Sequence, residues 1–306
     1  MESTMVRKED LDLIFKGGDF RGSVLYGEPL SKHTSLRIGG PADVFIVPSD
    51  MDSLKYILRA SYKAGLPIVV LGGGSNVLIS DEGVRAVVIS LSEFDAIGLE
   101  GSILRAGAGV GLQGVVNYAG KNGLSGIEGL SGIPGTVGGA VAGNAGSFGT
   151  EIKDVLVEVS IVGKDGVEGI MSAESLGLGY RKADIPEGSV IVDATLRLKK
   201  DEPQEVLRRI TEYLRQKKTT QPIGERSAGC VFKNPKGISA GKLIEDAGCK
   251  GLRYGGVEVS PMHANFFVAK GRARAGDFLR LMDEVSKKVK DAFGIVLEPE
   301  IKIIGC

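Results

Sequence analysis

"LPIVVLGGGSN" (residues 66 to 76) decides how this chain of 306 residues is read. A short run of β-branched and apolar residues has the make-up of a buried strand, and it passes without a spacer into three glycines. Glycine lacks Cβ, so the chain can turn sharply there and present successive backbone N–H groups, an arrangement that cradles pyrophosphate. Ser75 and Asn76 add side-chain hydrogen bonds at the end of the loop. A tight strand-to-loop turn that holds no ligand is the alternative. Upstream, "DMDSLKYILRASYKAG" (50 to 65) carries the periodicity of an amphipathic helix ending at glycine. Downstream, "AVVISL" (86 to 91) is a second apolar strand. This is a βαβ-like start in which a glycine loop opens directly off a strand.

Composition narrows the function classes. Hydrophobic residues make up 42% of the chain and charged residues 25%, as in ordinary globular proteins. Lys+Arg and Asp+Glu both number 38, so no basic field marks a nucleic-acid or membrane-surface partner. The stretch "MESTMVRKEDLDLIFKGGD" has no apolar core of a signal peptide, and no run approaches the ~18 apolar residues of a membrane span. Cys230, Cys249 and Cys306 have no paired spacing, and His33 and His263 are the only histidines. A disulfide framework and a histidine metal site are therefore not expected, and a cytosolic protein is. Glycine stands out. Its 46 residues are about twice the usual share of roughly 7% and cluster between residues 72 and 149.

Further along, residues 109 to 123 read as a helix, and 154 to 163 and 189 to 199 as strands. Composition changes near residue 201, where a charged, glycine-free helix (202 to 218) begins. We expect a domain boundary there, with an N-terminal domain over 1–201 and a C-terminal domain over 202–306. The latter holds a short helix at 240 to 247, a strand at 265 to 270, a long helix at 274 to 293 and the strand-like "IVLEPEIKIIG". The overall class is α+β.

Two glycine motifs carry little weight. "GVGLQG" (109 to 114) fits G-x-G-x-x-G, but the pattern is cheap in so glycine-rich a chain. "GISAGKL" (237 to 243) has too few residues between its glycines for a P-loop, and Leu243 stands where Ser or Thr would bind magnesium. "GIPGTVGGAVAGNAGSFG" (132 to 149) is different: seven glycines, no charge, and Ile133, Val137, Val141 and Phe148. It has the character of a loop wrapping a flat apolar object, with a structural hinge as the alternative. In "SAGCVFKNP" (227 to 235), Cys230 is either a small strand hydrophobe or a thiol placed for chemistry.

Six segments then fall in a recognisable order. "HTSLRIGGPA" (33 to 42), "LGGGSNVLISD" (71 to 81), "GIPGTVGGAVAGNAG" (132 to 146), "GYRKADIP" (179 to 186), "SAGCVFKNP" and "LEPEIKIIG" (297 to 305) resemble the UDP-N-acetylenolpyruvoylglucosamine reductase family of peptidoglycan synthesis. The first three alone match the wider class of FAD-binding domains shared with several oxidases; the last three narrow it. The resemblance implies a two-subdomain FAD-binding domain of the PCMH type, its subdomains meeting near residue 95, and a smaller α+β substrate-binding domain. It implies a monomer that holds FAD non-covalently, uses NADPH as co-substrate and takes a UDP-sugar substrate. The reaction reduces the enolpyruvyl ether of UDP-N-acetylglucosamine-enolpyruvate to UDP-N-acetylmuramate. An FAD oxidase of similar fold and a non-catalytic nucleotide-binding regulator are the competing readings.

The residues follow by match to the motifs. Flavin contacts are implied for Gly72, Gly73, Gly74, Ser75 and Asn76 in one loop. In the other they are implied for Pro134, Gly135, Thr136, Gly138, Gly139, Asn144, Ala145 and Gly146. Arg181 and Glu300 match the family's arginine and glutamate, which meet the negative charge that hydride addition pushes onto the substrate carboxylate. Glu298 and Glu300 would share a face of a strand; the aliphatic and basic residues that follow select Glu300. Tyr180 and Asn234 match substrate-holding positions, and Lys218 is a candidate for the diphosphate. Many members carry serine at the position of Cys230, where it donates the final proton. A thiol, with a reference pKa of about 8.5, is mostly protonated at neutral pH and is a stronger acid than a hydroxyl. Ala183 departs from the family's frequent serine, which puts one supporting hydrogen bond in doubt. The segment after Tyr180 is too short for the extra loop with which some members close over substrate.

Overall fold

The computed structural model describes Leu11, Phe15 and residues 20 to 306; the N-terminal stretch read for a leader otherwise lies outside these residues. Helix Met51–Lys63 begins where Asp50 Oδ1 accepts a hydrogen bond from Ser53 N at 2.8 Å. It buries Leu54, Ile57 and Leu58, the three- and four-residue spacing that puts apolar side chains on one stripe. The quoted apolar run forms strand Ile68–Val70, parallel to Val84–Ile89, with Val70 opposite Ile89. These strands join Gly22–Tyr26 and Ala42–Pro48 in a four-stranded sheet.

After Ile89 the chain leaves this sheet and enters a second one at Ile97–Glu100. The second sheet is five-stranded and antiparallel, in the order Glu168–Ser172, Leu156–Val162, Val190–Arg197, Ile103–Gly107, Ile97–Glu100. Its buried residues Val159, Ala194, Leu196, Leu104 and Ala106 share a core with the Met51–Lys63 stripe and with helix Leu112–Lys121. Residues 132 to 149, read from the sequence as a glycine-rich loop, contain helix Val137–Ala142. Glycine is a poor helix former, but bulk is excluded here: a Cβ on Gly138 would lie 2.9 Å from Ala108 Cβ.

The chain divides into two compact units that are discontinuous in sequence. The first contains the described residues up to Glu28, with Asp43–Gly73 and Arg85–Arg215; the second contains Pro29–Ala42, Gly74–Val84 and Gln216–Cys306. Composition alone suggested one break near 201. Long-range packing accounts for the difference: Leu36, Ile38 and Leu78 are buried in one core with Phe232, Phe267, Phe278 and Leu281. Asp81 also caps helix Ala275–Phe293, accepting from Ala275 N at 2.9 Å and Gly276 N at 3.2 Å.

In the second unit the sheet order is Ser227–Cys230, Phe266–Ala269, Val257–Val259, Arg253–Tyr254, all antiparallel. Lys302–Ile304 pairs in parallel with Val77–Ile79. The closing strand is shorter than "IVLEPEIKIIG" suggests, because Pro299 has no N–H for a ladder and makes only an isolated bridge to Phe232.

Candidate active site

In the first unit, the two glycine loops meet at close range, backbone to backbone at Gly73 and Gly135. A Cβ on Gly72 would stand 2.7 Å from Thr136 Oγ1, and one on Gly73 2.8 Å from Gly135 Cα. At Gly73 the near atom is main chain, so a side chain there would force the loops apart. Thr136 also caps helix Val137–Ala142 through a long contact, 3.5 Å, with Gly139 N. Gly72, Gly73, Pro134 and Gly139 are exposed. The result is an uncharged surface walled largely by main chain, which fits the pyrophosphate of a dinucleotide such as FAD.

Helix Val137–Ala142 runs out into Asn144, which is 1% exposed and takes φ +38°. Its side chain is committed within the protein. Oδ1 accepts from Lys153 N at 3.0 Å, and Nδ2 donates to Glu151 Oε2 at 3.0 Å and to Gly179 O at 2.9 Å. The intervening hairpin pairs Ser147 with Thr150 across Phe148 and Gly149, both at positive φ, as a two-residue turn of this hand demands. Phe148 stacks on Tyr213, with ring centroids 4.6 Å apart.

Arg181 occupies a tight turn. Gly179 N donates to Lys182 O at 3.0 Å, Lys182 N donates back at 3.2 Å, and Arg181 takes φ +56°. Its Nη1 reaches Gly146 O at 3.4 Å, and its guanidinium lies 5.6 Å from the ring centre of Tyr180, which is 49% exposed. Arg181 thus sits beside the segment that carries Asn144, Ala145 and Gly146.

The second unit gathers the other candidates. Gly229 takes φ +73° where the strand slips register, a bulge that re-aims the half-buried Cys230 opposite Phe266. Glu300 N donates to Val231 O at 2.8 Å, and Asn76 Nδ2 donates to Glu300 O at 3.3 Å. The backbones of Cys230, Glu300 and Asn76 are therefore locked into one neighbourhood. Glu298 is exposed and ion-paired with Lys233, not aligned with Glu300 on a regular strand. Asn234 Oδ1 accepts from Ala240 N at 2.9 Å and so fixes the start of the helix that follows. Lys218 is exposed at the end of helix Pro203–Thr220, whereas its neighbour Lys217 is 3% exposed.

Three supporting residues escaped sequence reasoning. Asn265, 2% exposed, clamps the cysteine segment by accepting from Phe232 N at 2.9 Å and donating to Phe232 O at 2.7 Å. Its signal was a polar residue heading an apolar strand. Ser35 Oγ donates to Ser227 O at 2.6 Å and contacts Gly74 O at 3.3 Å, tying the "HTSLRIGG" motif to both the glycine loop and the cysteine strand. Glu151 has its pKa lowered mainly by hydrogen bonding to Lys153, with further help from Asn144 and the charge of Arg181. Cys249 is buried, and burial pushes its thiol up. Among the described residues no group of three or more His, Cys, Asp and Glu side chains is arranged to hold a metal, and no helix is long and apolar enough to cross a membrane.

Known proteins match both parts of this arrangement. Residues 42–168 match the family model described as FAD binding domain, and residues 221–304 match that of UDP-N-acetylenolpyruvoylglucosamine reductase, C-terminal domain. A UDP-N-acetylenolpyruvoylglucosamine reductase from Geobacter metallireducens is 42% identical over 288 residues, 94% of this chain and 96% of its own. One from Pelobacter propionicus is 42% identical over 94% of this chain and 98% of its own. The crystal structure of the reductase from Thermus caldophilus superposes with a TM-score of 0.80 at 40% identity, covering 93% of this chain and 99% of that one. With a glycine-walled FAD-binding domain, the matching C-terminal domain and this identity along nearly its whole length, the chain belongs to the UDP-N-acetylenolpyruvoylglucosamine reductase family.

Proposed function

We propose that this chain is an FAD-dependent UDP-N-acetylmuramate dehydrogenase, which uses NADPH to reduce the enolpyruvyl ether of a UDP-sugar for peptidoglycan precursor synthesis. One structural observation supports it above the rest: Cys230 and Glu300 stand on adjacent, hydrogen-bonded segments, with Glu300 N on Val231 O at 2.8 Å. A thiol and a carboxyl group carried by two segments joined main chain to main chain suit an addition that needs charge stabilisation and then a proton.

The glycine loops, residues 72 to 76 and 134 to 146, would hold FAD non-covalently, and the cofactor would supply the hydride chemistry that links NADPH to the terminal carbon of the enol ether. The chain's own residues handle the charge and the proton. Arg181 supplies a fixed cation for the substrate carboxylate as it takes on enolate character, and Glu300 supplies a hydrogen-bonding acid toward the same charge. The Cys230 thiol then gives its proton to the carbon next to the carboxylate, and the bond so formed completes the lactyl ether. Tyr180, Lys218 and the amide nitrogen of Asn234 hold the sugar nucleotide in this reading. The protein works as a cytoplasmic monomer.

The test is product formation. FAD-loaded protein given NADPH and UDP-N-acetylglucosamine-enolpyruvate should form UDP-N-acetylmuramate, two mass units heavier than the substrate, with one NADPH consumed per product. NADPH oxidation coupled to oxygen alone, with the sugar nucleotide unchanged, would favour an oxidase and sink the proposal.

A further inference from the structure

We infer that Asn144 is a positioning residue for the proposed catalytic Arg181, acting through the turn that presents it; the inference rests on the role given to Arg181 above. The amide of Asn144 has two N–H donors, and both are used. One goes to Glu151 Oε2 at 3.0 Å and the other to Gly179 O at 2.9 Å, while Oδ1 takes Lys153 N at 3.0 Å. At 1% exposure these bonds form away from water, where each missing partner is costly.

Gly179 is the first residue of the turn whose third residue is Arg181. Arg181 takes φ +56°, a conformation that costs a side chain with Cβ about 1–2 kcal/mol and persists only where the surroundings impose it. Gly179 O accepts from both Lys182 N, at 3.2 Å, and Asn144 Nδ2, so the turn is closed from within and pinned from outside. A second tether joins the same segments, from Arg181 Nη1 to Gly146 O at 3.4 Å. Asn144 itself takes φ +38°, which asparagine tolerates better than most residues. One side chain thus fixes the exit of helix Val137–Ala142, the Glu151–Lys153 corner and the backbone that aims Arg181. An aspartate there would keep the acceptor and lose both donors.

The experiment compares Asn144→Gly, which keeps the backbone conformation accessible, and Asn144→Asp, which keeps the volume. Because Asn144 also lies in the loop assigned to the flavin, FAD affinity is titrated for each variant and the half-reactions are compared with FAD at saturation, where reduction by NADPH should lose less than reoxidation. Reoxidation by the enol ether should slow about 10- to 100-fold, the range expected for a misplaced reacting group. In an Arg181→Ala background the same changes should add less than about twofold, because residues acting through one group are not additive. In flavin-free protein, amide hydrogen exchange over residues 176 to 184 should accelerate while the sheet Leu156–Val162/Val190–Arg197 stays protected. If Asn144→Gly does not fold, Asn144→Asp decides. Native reoxidation in both FAD-saturated variants, a full multiplicative loss in the Arg181→Ala background, equal loss in both half-reactions, or unchanged exchange over residues 176 to 184 would overturn the inference. Native reoxidation by Arg181→Ala alone would instead overturn the role of Arg181 on which it rests.

Discussion

Removing the thiol of Cys230 separates an acid from a space-filler. The backbone around it is fixed independently of its side chain: Cys230 pairs with Phe266, Val231 N donates to Asn265 O at 2.8 Å, and Val231 O accepts from Glu300 N at 2.8 Å. Because the side chain is only half-buried, Cys230→Ala should change stability by no more than about 1 kcal/mol. A general acid contributes about 10²- to 10⁴-fold, equivalent to ~3 to 5 kcal/mol of barrier. The two effects differ enough to be told apart. Cys230→Ser keeps a proton donor of similar reach and should remain active. In anaerobic stopped-flow, Cys230→Ala should form reduced flavin with NADPH at the native rate and then stall when given the enol ether. Thermal unfolding should place all three proteins within a few degrees of one another. Alanine and serine variants of equal turnover would show that Cys230 only fills space and would remove it from the mechanism.

Glu300→Gln and Arg181→Ala should likewise spare reduction by NADPH and slow reoxidation by roughly a hundredfold or more, as for loss of an oxyanion-hole donor; equal loss in both half-reactions would assign them to the fold or the flavin. Gly73→Ala forces a Cβ to 2.8 Å from Gly135 Cα, backbone against backbone, so the loops must part. Its FAD affinity should fall at least about tenfold, and unchanged affinity by flavin titration would deny that the loops hold the cofactor. Glu151 has a depressed pKa in the folded protein, held chiefly by Lys153, so its contribution is present above the unfolded value of about 4.3 and is lost as pH falls through the folded value. Its side chain is 30% exposed, so the effect should be small, under about 1 kcal/mol. Acidification from pH 5 should lower the melting temperature less in Glu151→Gln than in the native protein, and equal acid sensitivity would contradict the assignment.

The features legible in the sequence are those whose physics is local. The stripe Leu54, Ile57, Leu58 announces helix Met51–Lys63, and Asp50 marks its start. The "GGGSN" loop declares itself because only glycine allows so close a backbone approach, whatever lies opposite. Helix Val137–Ala142 was hidden because its glycines oppose helix formation, and what favours it, packing against Ala108, is remote in the chain. The discontinuous units were hidden for a similar reason: Leu36 and Leu78 look like any buried residues until the core they share with Phe267 and Phe278 is seen. Asn144 was placed at the site from its motif, but its partner Gly179 lies 35 residues away, and no pattern in the sequence links the two.

The absorption spectrum of the purified protein under anaerobic conditions tests the central claim most directly. The flavoenzyme reading predicts the bands of oxidised FAD, released by mild denaturation as a non-covalent cofactor would be, bleached by NADPH and restored by UDP-N-acetylglucosamine-enolpyruvate without oxygen. A protein that stays colourless after incubation with FAD, or one whose NADPH-bleached flavin recovers only when air is admitted, would contradict it.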